Sequence, residues 1–315
     1  MFLTIDIGGT NMRARVWKEA TEGQREECIL RKQFSSSPQA HSEIQAFISE
    51  HKDKIRSGCI AVAGPVRNGC VRLTNVDISL DEREFDIPIR IINDMEAAGY
   101  GISELLEEQI HQVHSGLCDI NGVATVIGLG TGVGQTIVVP SHPLPKVIAS
   151  EGGHIEYAPR NQDEQDFCIF LNAERNIRRV RVEDILSGTG ITHMWDFFEH
   201  SKYEKKLSVE GHVGGYIASN PDAEISKDVM KLYSGILGSY LGNLALQTLP
   251  TGGLWVCGGV TQKMYRYWNI DILRRQFVVK SPMEHILQDF TIHVVLDDDV
   301  GVLGALRVAK KAIQR

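Results

Sequence analysis

The chain of 315 residues lacks any run of about 18 apolar residues, so no segment is expected to span a bilayer as a helix. No basic stretch followed by an apolar run opens it, so no secretory signal is expected. It has no CxxC pair. Its six cysteines, Cys28, Cys59, Cys70, Cys118, Cys168 and Cys257, are scattered, which argues against a zinc site and a disulfide framework. Cys59 and Cys257 fall in apolar strands and read as small core residues. Basic charge is scarce: 33 Lys and Arg face 40 Asp and Glu, a net charge of -7, which disfavours a nucleic-acid partner. The one basic cluster, Arg175, Arg178, Arg179 and Arg181, stands at helical spacing beside acids and predicts a solvated helix face. No low-complexity linker interrupts the sequence. A reducing, cytoplasmic setting and two domains joined by structured crossovers are expected, length being only a soft prior.

What is present begins at the first strand. Phe2-Leu3-Thr4-Ile5 runs into Asp6-Ile7-Gly8-Gly9-Thr10-Asn11. Glycines let the backbone turn tightly and bring N–H groups up to anionic oxygens. Thr10 and Asn11 add donors, and Asp6 sits where a metal or its bound water needs a negative ligand. A plain hairpin turn is the alternative. The pattern recurs: Val123–Ile127, then Gly128-Leu129-Gly130-Thr131-Gly132-Val133-Gly134, then the returning strand Gln135–Val139. Two such loops facing each other can clamp a polyphosphate. No Gly-Lys-Ser/Thr follows, so this is no Walker A motif, and its glycines lead into a strand, unlike a dinucleotide fingerprint. A nucleotide held without a P-loop is the better reading.

Strand patterns at Arg13–Trp17, Cys59–Ala63 and Arg90–Ile92 alternate with a helical one at Ser42–His51, predicting an α/β sheet with ligand groups at strand ends. Apolar spacing predicts a long helix over Asp222–Leu249, in which Gly235, Gly238 and Gly242 serve close packing against another backbone. Leu254–Cys257 and Thr291–Leu296 read as later strands, and Val302–Ile313 as a last helix preceded by Asp297-Asp298-Asp299, acids that favour a helix N-terminus.

Three groups could do chemistry. Asn93-Asp94 closes an apolar strand, where a carboxylate is held rigidly as a general base must be. Asp94 would equally serve as N-cap of the helix that follows. Glu151-Gly152-Gly153-His154 puts a carboxylate and an imidazole together on a tight, non-helical backbone, which suits the hydroxyls of a sugar. It offers too few ligands for a metal, and a buried structural histidine is the alternative. Glu183 reads from composition as an ordinary surface acid near a helix start. Gly252-Gly253 and Gly258-Gly259 flank a strand and allow a flat ligand such as adenine to approach.

In order, the chain carries Asp6-Ile7-Gly8-Gly9-Thr10, Ile60-Ala61-Val62-Ala63-Gly64-Pro65, Thr74-Asn75, Ile92-Asn93-Asp94, Gly130-Thr131-Gly132, Glu151-Gly152-Gly153-His154, Leu186-Ser187-Gly188 and Gly258-Gly259. This series resembles the bacterial glucokinase family, a hexokinase-type branch of the actin-like sugar kinase superfamily, over essentially the whole chain. The resemblance implies a two-domain α/β fold of the actin-like, ribonuclease H-like type, with residues 1–104 plus 295–315 as a small domain and 105–294 as a large one. It implies ATP- and Mg²⁺-dependent phosphorylation of glucose at its 6-hydroxyl in a cleft between the domains. Asp94 matches the catalytic base, and Asn93, Glu151, His154 and Glu183 match glucose-binding residues. Asp6 matches the carboxylate on the Mg²⁺ side, Gly8, Gly9, Thr10, Asn11, Thr131 and Gly132 the phosphate loops, and Gly258 and Gly259 the adenosine loop. A homodimer is the oligomeric state it implies.

The chain departs from the family's pattern in places. Val76-Asp77-Ile78-Ser79 follows Asn75 where an aromatic often stands, which bears on the shape of the small-domain edge. Gly128 replaces an acid common in the superfamily, placing more of the metal's charge on Asp6. Only Cys168 lies near the segment where related zinc-containing kinases carry several cysteines. Alternatives are a kinase for mannose, fructose or an amino sugar, or a sugar-sensing regulator. The sensor is disfavoured because the sequence opens at the phosphate loop, with no helix-turn-helix before it.

Overall fold

The computed structural model describes residues 1–7, 11–19, 27–35, 39–73, 78–203 and 211–312. Packing divides the chain into two units: residues 1–105 with 142–149 and 299–315, and residues 106–141 with 150–298.

In the first unit, β1 (Phe2–Ile7) runs antiparallel to β2 (Asn11–Lys18), which pairs antiparallel with β3 (Glu27–Ser35). After α1 (Ala40–His51), β4 (Ser57–Val62) lies parallel to β1. A separate hairpin joins β5 (Cys70–Leu73) and β6 (Ile78–Asp81). Then β7 (Ile89–Asn93) pairs parallel with β4 and feeds directly into α2 (Asp94–Gly101). The strand order is β3-β2-β1-β4-β7. β4 is buried along its whole length, as expected of a central strand covered on both faces. One face packs Leu3, Ile5, Ile7 and Ile60 against Ile44, Phe47 and Ile48 of α1. The other carries Phe2, Cys59, Ala61 and Ile92.

In the second unit, β8 (Ile110–His114) is followed by the hairpin β9 (Ala124–Leu129) and β10 (Val133–Val139), in which Leu129 faces Val133. After β11 (Lys146–Ser150), which up to residue 149 belongs to the first unit, the chain re-enters the second and turns helical: α3 (Gln162–Arg175), α4 (Glu183–Leu186), α5 (Gly188–Phe198), α6 (Val213–Ser219) and α7 (Glu224–Thr248). β12 (Leu254–Cys257) lies parallel to β9. It leads through α8 (Gly259–Met264), α9 (Ile270–Val278) and α10 (Glu284–Leu287) to β13 (Ile292–Val295), which is parallel to β12 and antiparallel to β8. The order of these strands is β10-β9-β12-β13-β8. α11 (Val300–Ala312) then belongs to the first unit and covers its second sheet face with Val302, Ala305, Leu306 and Ala309.

The predicted long helix is α7, and its glycines meet α9. A Cβ at Gly238 would overlap the carbonyl oxygen of Leu273, and one at Gly242 that of Phe277. One expectation changes. α3 stops at Arg175 because Asn176 adopts a left-handed cap, φ 54°, a C-terminal stop that asparagine tolerates. Arg178, Arg179 and Arg181 therefore follow the helix and do not extend it; Arg179 pairs with Glu156 and Arg181 with Asp184. Asp299 stands directly before α11, as expected of an acid at a helix N-terminus, and in addition accepts a fork from Arg15 of β2 at 2.5 and 2.7 Å. Among the described residues, no helix is long and apolar enough to cross a membrane.

Candidate active site

Strand β7 ends at Asn93, whose extended backbone turns the chain into α2. Its Oδ1 accepts from the N–H groups of Met95 at 2.8 Å and Glu96 at 3.3 Å, and its Nδ2 donates to the Gly64 carbonyl at 3.1 Å. Asn93 is thus the N-cap, and Asp94 is the first helical residue. Its Oδ1 also accepts from Met95 N–H, at 2.8 Å. Burial pushes the Asp94 carboxyl up to about 6; the Met95 N–H opposes this, and the charge of Asp6 adds to it. Asp6 lies on β1 opposite Arg13. Burial raises its carboxyl too, against the pull of Arg13 and Arg15. Of the expected phosphate-loop residues beside it, Gly8, Gly9 and Thr10 lie outside the described residues, as do Thr74 and Asn75, while Asn11 opens β2.

A second set of loops gathers in the other unit, at the carboxyl ends of the parallel strands β9 and β12. Gly130 N–H donates to the Gly132 carbonyl at 2.9 Å, and Gly188 N–H donates to the Gly130 carbonyl at 2.9 Å. Thr131 is exposed at the tip. Gly258 follows β12 with φ 97°, and a Cβ there would press on the Leu129 carbonyl. Gly259 starts α8 with open space where a side chain would stand. The expected Thr131-Gly132 and Gly258-Gly259 segments are therefore neighbours.

Glu183 begins α4 and is no ordinary surface acid. Its Oε2 accepts from Val133 N–H at 3.1 Å and fills the space that a side chain at Gly132 would need. Glu151 and His154 are joined by a short 3₁₀ turn, Gly152–His154, in place of the expected non-helical backbone, closed by His154 N–H on the Glu151 carbonyl at 3.0 Å. Tyr240 of α7 donates toward the Gly152 carbonyl at 3.2 Å and so anchors the turn. The segment after the turn pairs with the one before α4: Tyr157 N–H reaches the Val180 carbonyl at 2.8 Å, and Val182 N–H the Ile155 carbonyl at 3.1 Å. That pairing brings the three polar residues together. His154 Nε2 is 3.7 Å from Glu151, and Nδ1 is 3.9 Å from Glu183.

Arg181 joins the same group, with Nη1 3.1 Å from His154 Nδ1 and 3.6 Å from Glu183, while its fork holds Asp184. Reading 175–181 as one helix face hid it. The available signal was its three-residue spacing from Asp184, the distance of a local ion pair.

The Glucokinase family model matches residues 3–312. The chain belongs to the glucokinase family. A glucokinase of Nostoc punctiforme is 30% identical over 99% of both chains. The crystal structure of a glucokinase from an Antarctic psychrotroph superposes with a TM-score of 0.83 at 26% identity, over 98% of each chain. A ROK family glucokinase of Streptomyces griseus, in complex with glucose and AMPPNP, superposes at 0.66 with 20% identity over 98% of this chain and 99% of its own. The fold is that of the actin-like sugar kinases, and membership makes the chain a sugar-phosphorylating enzyme.

Proposed function

We propose that the chain transfers the γ-phosphoryl group of ATP to the 6-hydroxyl of D-glucose, with Asp94 as general base. The observation that carries this is the Asp94 carboxyl, raised to about 6 by burial at the end of β7. A base is most effective with a pKa near the working pH, ionised yet avid for a proton. It takes the hydroxyl proton as the oxygen attacks phosphorus, while the other groups orient the reactants. Glu151 and Glu183 accept from sugar hydroxyls, His154 contributes its ring nitrogens, and Asn93 holds the turn on which the base stands. The glucose and AMPPNP in the Streptomyces griseus structure support the choice of both substrates.

The phosphates belong to the loops of Gly8, Gly9, Thr10 and Asn11 and of Thr131 and Gly132, and the adenosine to Gly258 and Gly259. Asp6 is the residue for Mg²⁺. Among the described residues no group of three or more His, Cys, Asp or Glu is placed to hold a metal. That fits a cation carried by one carboxylate, waters and substrate phosphates. When bound, Mg²⁺ neutralises charge developing on the transferred group. A cytoplasmic homodimer supplying glycolysis is the setting that goes with this reading.

The test is ADP release with ATP and Mg²⁺ across glucose, mannose, fructose, glucosamine and N-acetylglucosamine. A strong preference for glucose is expected. Activity on a different hexose would move the substrate and keep the mechanism, and glucose binding without turnover would make the chain a sensor.

A further inference from the structure

Arg181 is tied down before it meets the sugar group. Its backbone N–H and Nε donate to Asp184 Oδ2 at 2.8 and 3.1 Å, and its Nη2 donates to Oδ1 at 2.7 Å. The Asp184 side chain is only 8% exposed, so this two-pronged grip fixes the plane of the guanidinium. The remaining edge, Nη1, then stands 3.1 Å from His154 Nδ1. A guanidinium has donors and no acceptor. Nδ1 must therefore be the acceptor, and the ring proton sits on Nε2. That nitrogen lies 3.7 Å from Glu151 Oε2, beyond direct hydrogen-bond length, so the carboxylate leaves its N–H unclaimed.

We propose that Arg181 is a positioning residue that holds His154 in the Nε2-protonated, neutral tautomer. Resting on the sugar-kinase reading, this gives the group a fixed polarity. One N–H donor stands with two carboxylate acceptors, so one sugar hydroxyl must accept while those at Glu151 and Glu183 must donate. A glucose-binding site with a wandering tautomer would present an acceptor to that hydroxyl part of the time and bind more weakly. Arg181 reaches the sugar only through His154, and its contribution is orientation.

The experiment is ¹⁵N NMR of the imidazole nitrogens in the full chain without sugar, with His154→Gln to assign the ring. In the wild type, Nε2 should carry the proton and Nδ1 should be a hydrogen-bonded acceptor. In Arg181→Met the tautomers should mix, and the KM for glucose should rise about tenfold, the loss of one hydrogen bond, with kcat changed less. Arg181→Lys, a single-headed cation, cannot fork Asp184 and reach His154 together and should mix the tautomers as well. A wild-type ring protonated on Nδ1, or an unchanged ring spectrum in both variants, would overturn the proposal. If Arg181→Met fails to fold, the wild-type and Arg181→Lys spectra decide it. The spectra contain no sugar, so they stand apart from the assay that tests glucose as substrate.

Discussion

Asp94 and Glu183 each stand at the start of a helix, yet their surroundings differ in kind. Asp94 follows an apolar strand, accepts from the Met95 N–H, its own N–H and the Asn93 side chain, and has another acid, Asp6, in its electrostatic reach. Glu183 accepts from Val133 N–H at 3.1 Å and has Arg181 at 3.6 Å and His154 at 3.9 Å. The first carboxylate is desolvated, and burial outweighs the hydrogen bonds it accepts, so its proton affinity rises. The second is held by a backbone N–H with a guanidinium close by, so its position is fixed. The same chemical group thus becomes a base in one place and a hydrogen-bond acceptor in the other.

Asp94→Asn is the largest break in that contrast. It removes the proton acceptor and keeps the shape, and kcat should fall by about 10²–10⁴ with little change in glucose affinity. Turnover near the wild-type rate would remove Asp94 from the role. The second test is pH. A base raised to about 6 is protonated and idle below that value, so kcat/KM should climb as pH rises through it and level off above. A flat profile from about one pH unit below that value to about two above it would contradict the assignment. Next, Glu183→Gln should raise the KM for glucose by about tenfold or somewhat more, since bonds to a charged group contribute about 1.5–3 kcal/mol, and leave kcat nearer to normal. An unchanged KM would return Glu183 to a purely structural part. The smallest effect belongs to Asn93→Ala, which uncaps α2 beneath the base. It should cost about 0.5–2 kcal/mol of stability, seen as a lower Tm, and a Tm equal to the wild type would mean that the cap is dispensable.

Much of the framework could be read along the chain because its signals are local. Leu254–Cys257 is a run of buried-strand residues between paired glycines, and the helix of 224–248 has its apolar period and its glycines in plain view. The cap at β7–α2 was legible only to within one residue. Asn93 and Asp94 are both good caps, and the choice fell on the one whose backbone is still extended as the strand ends. Glu183 carried no local mark at all. What distinguishes it is an N–H of Val133, fifty positions away in sequence, and no spacing rule reaches that far. Arg181 escapes its sequence period for a related reason, since a left-handed turn at Asn176 breaks the helical spacing of the arginines. The acid and the histidine at 151–154 were visible as chemistry, but their meeting with Glu183 depends on the pairing of Ile155–Tyr157 with Val180–Val182.

The placement of α11 has a consequence in time. It lays Val302, Ala305, Leu306 and Ala309 over the sheet face that carries Phe2, Cys59 and Ile92. During synthesis the strands of that sheet emerge first, and the helix that covers one of their faces emerges only after residues 106–298 have been made. At about 5–20 residues per second the wait is roughly 10–40 s. The second unit, whose residues all lie inside that interval, has its full complement before the first does. The unit begun first on the ribosome is therefore the one completed last.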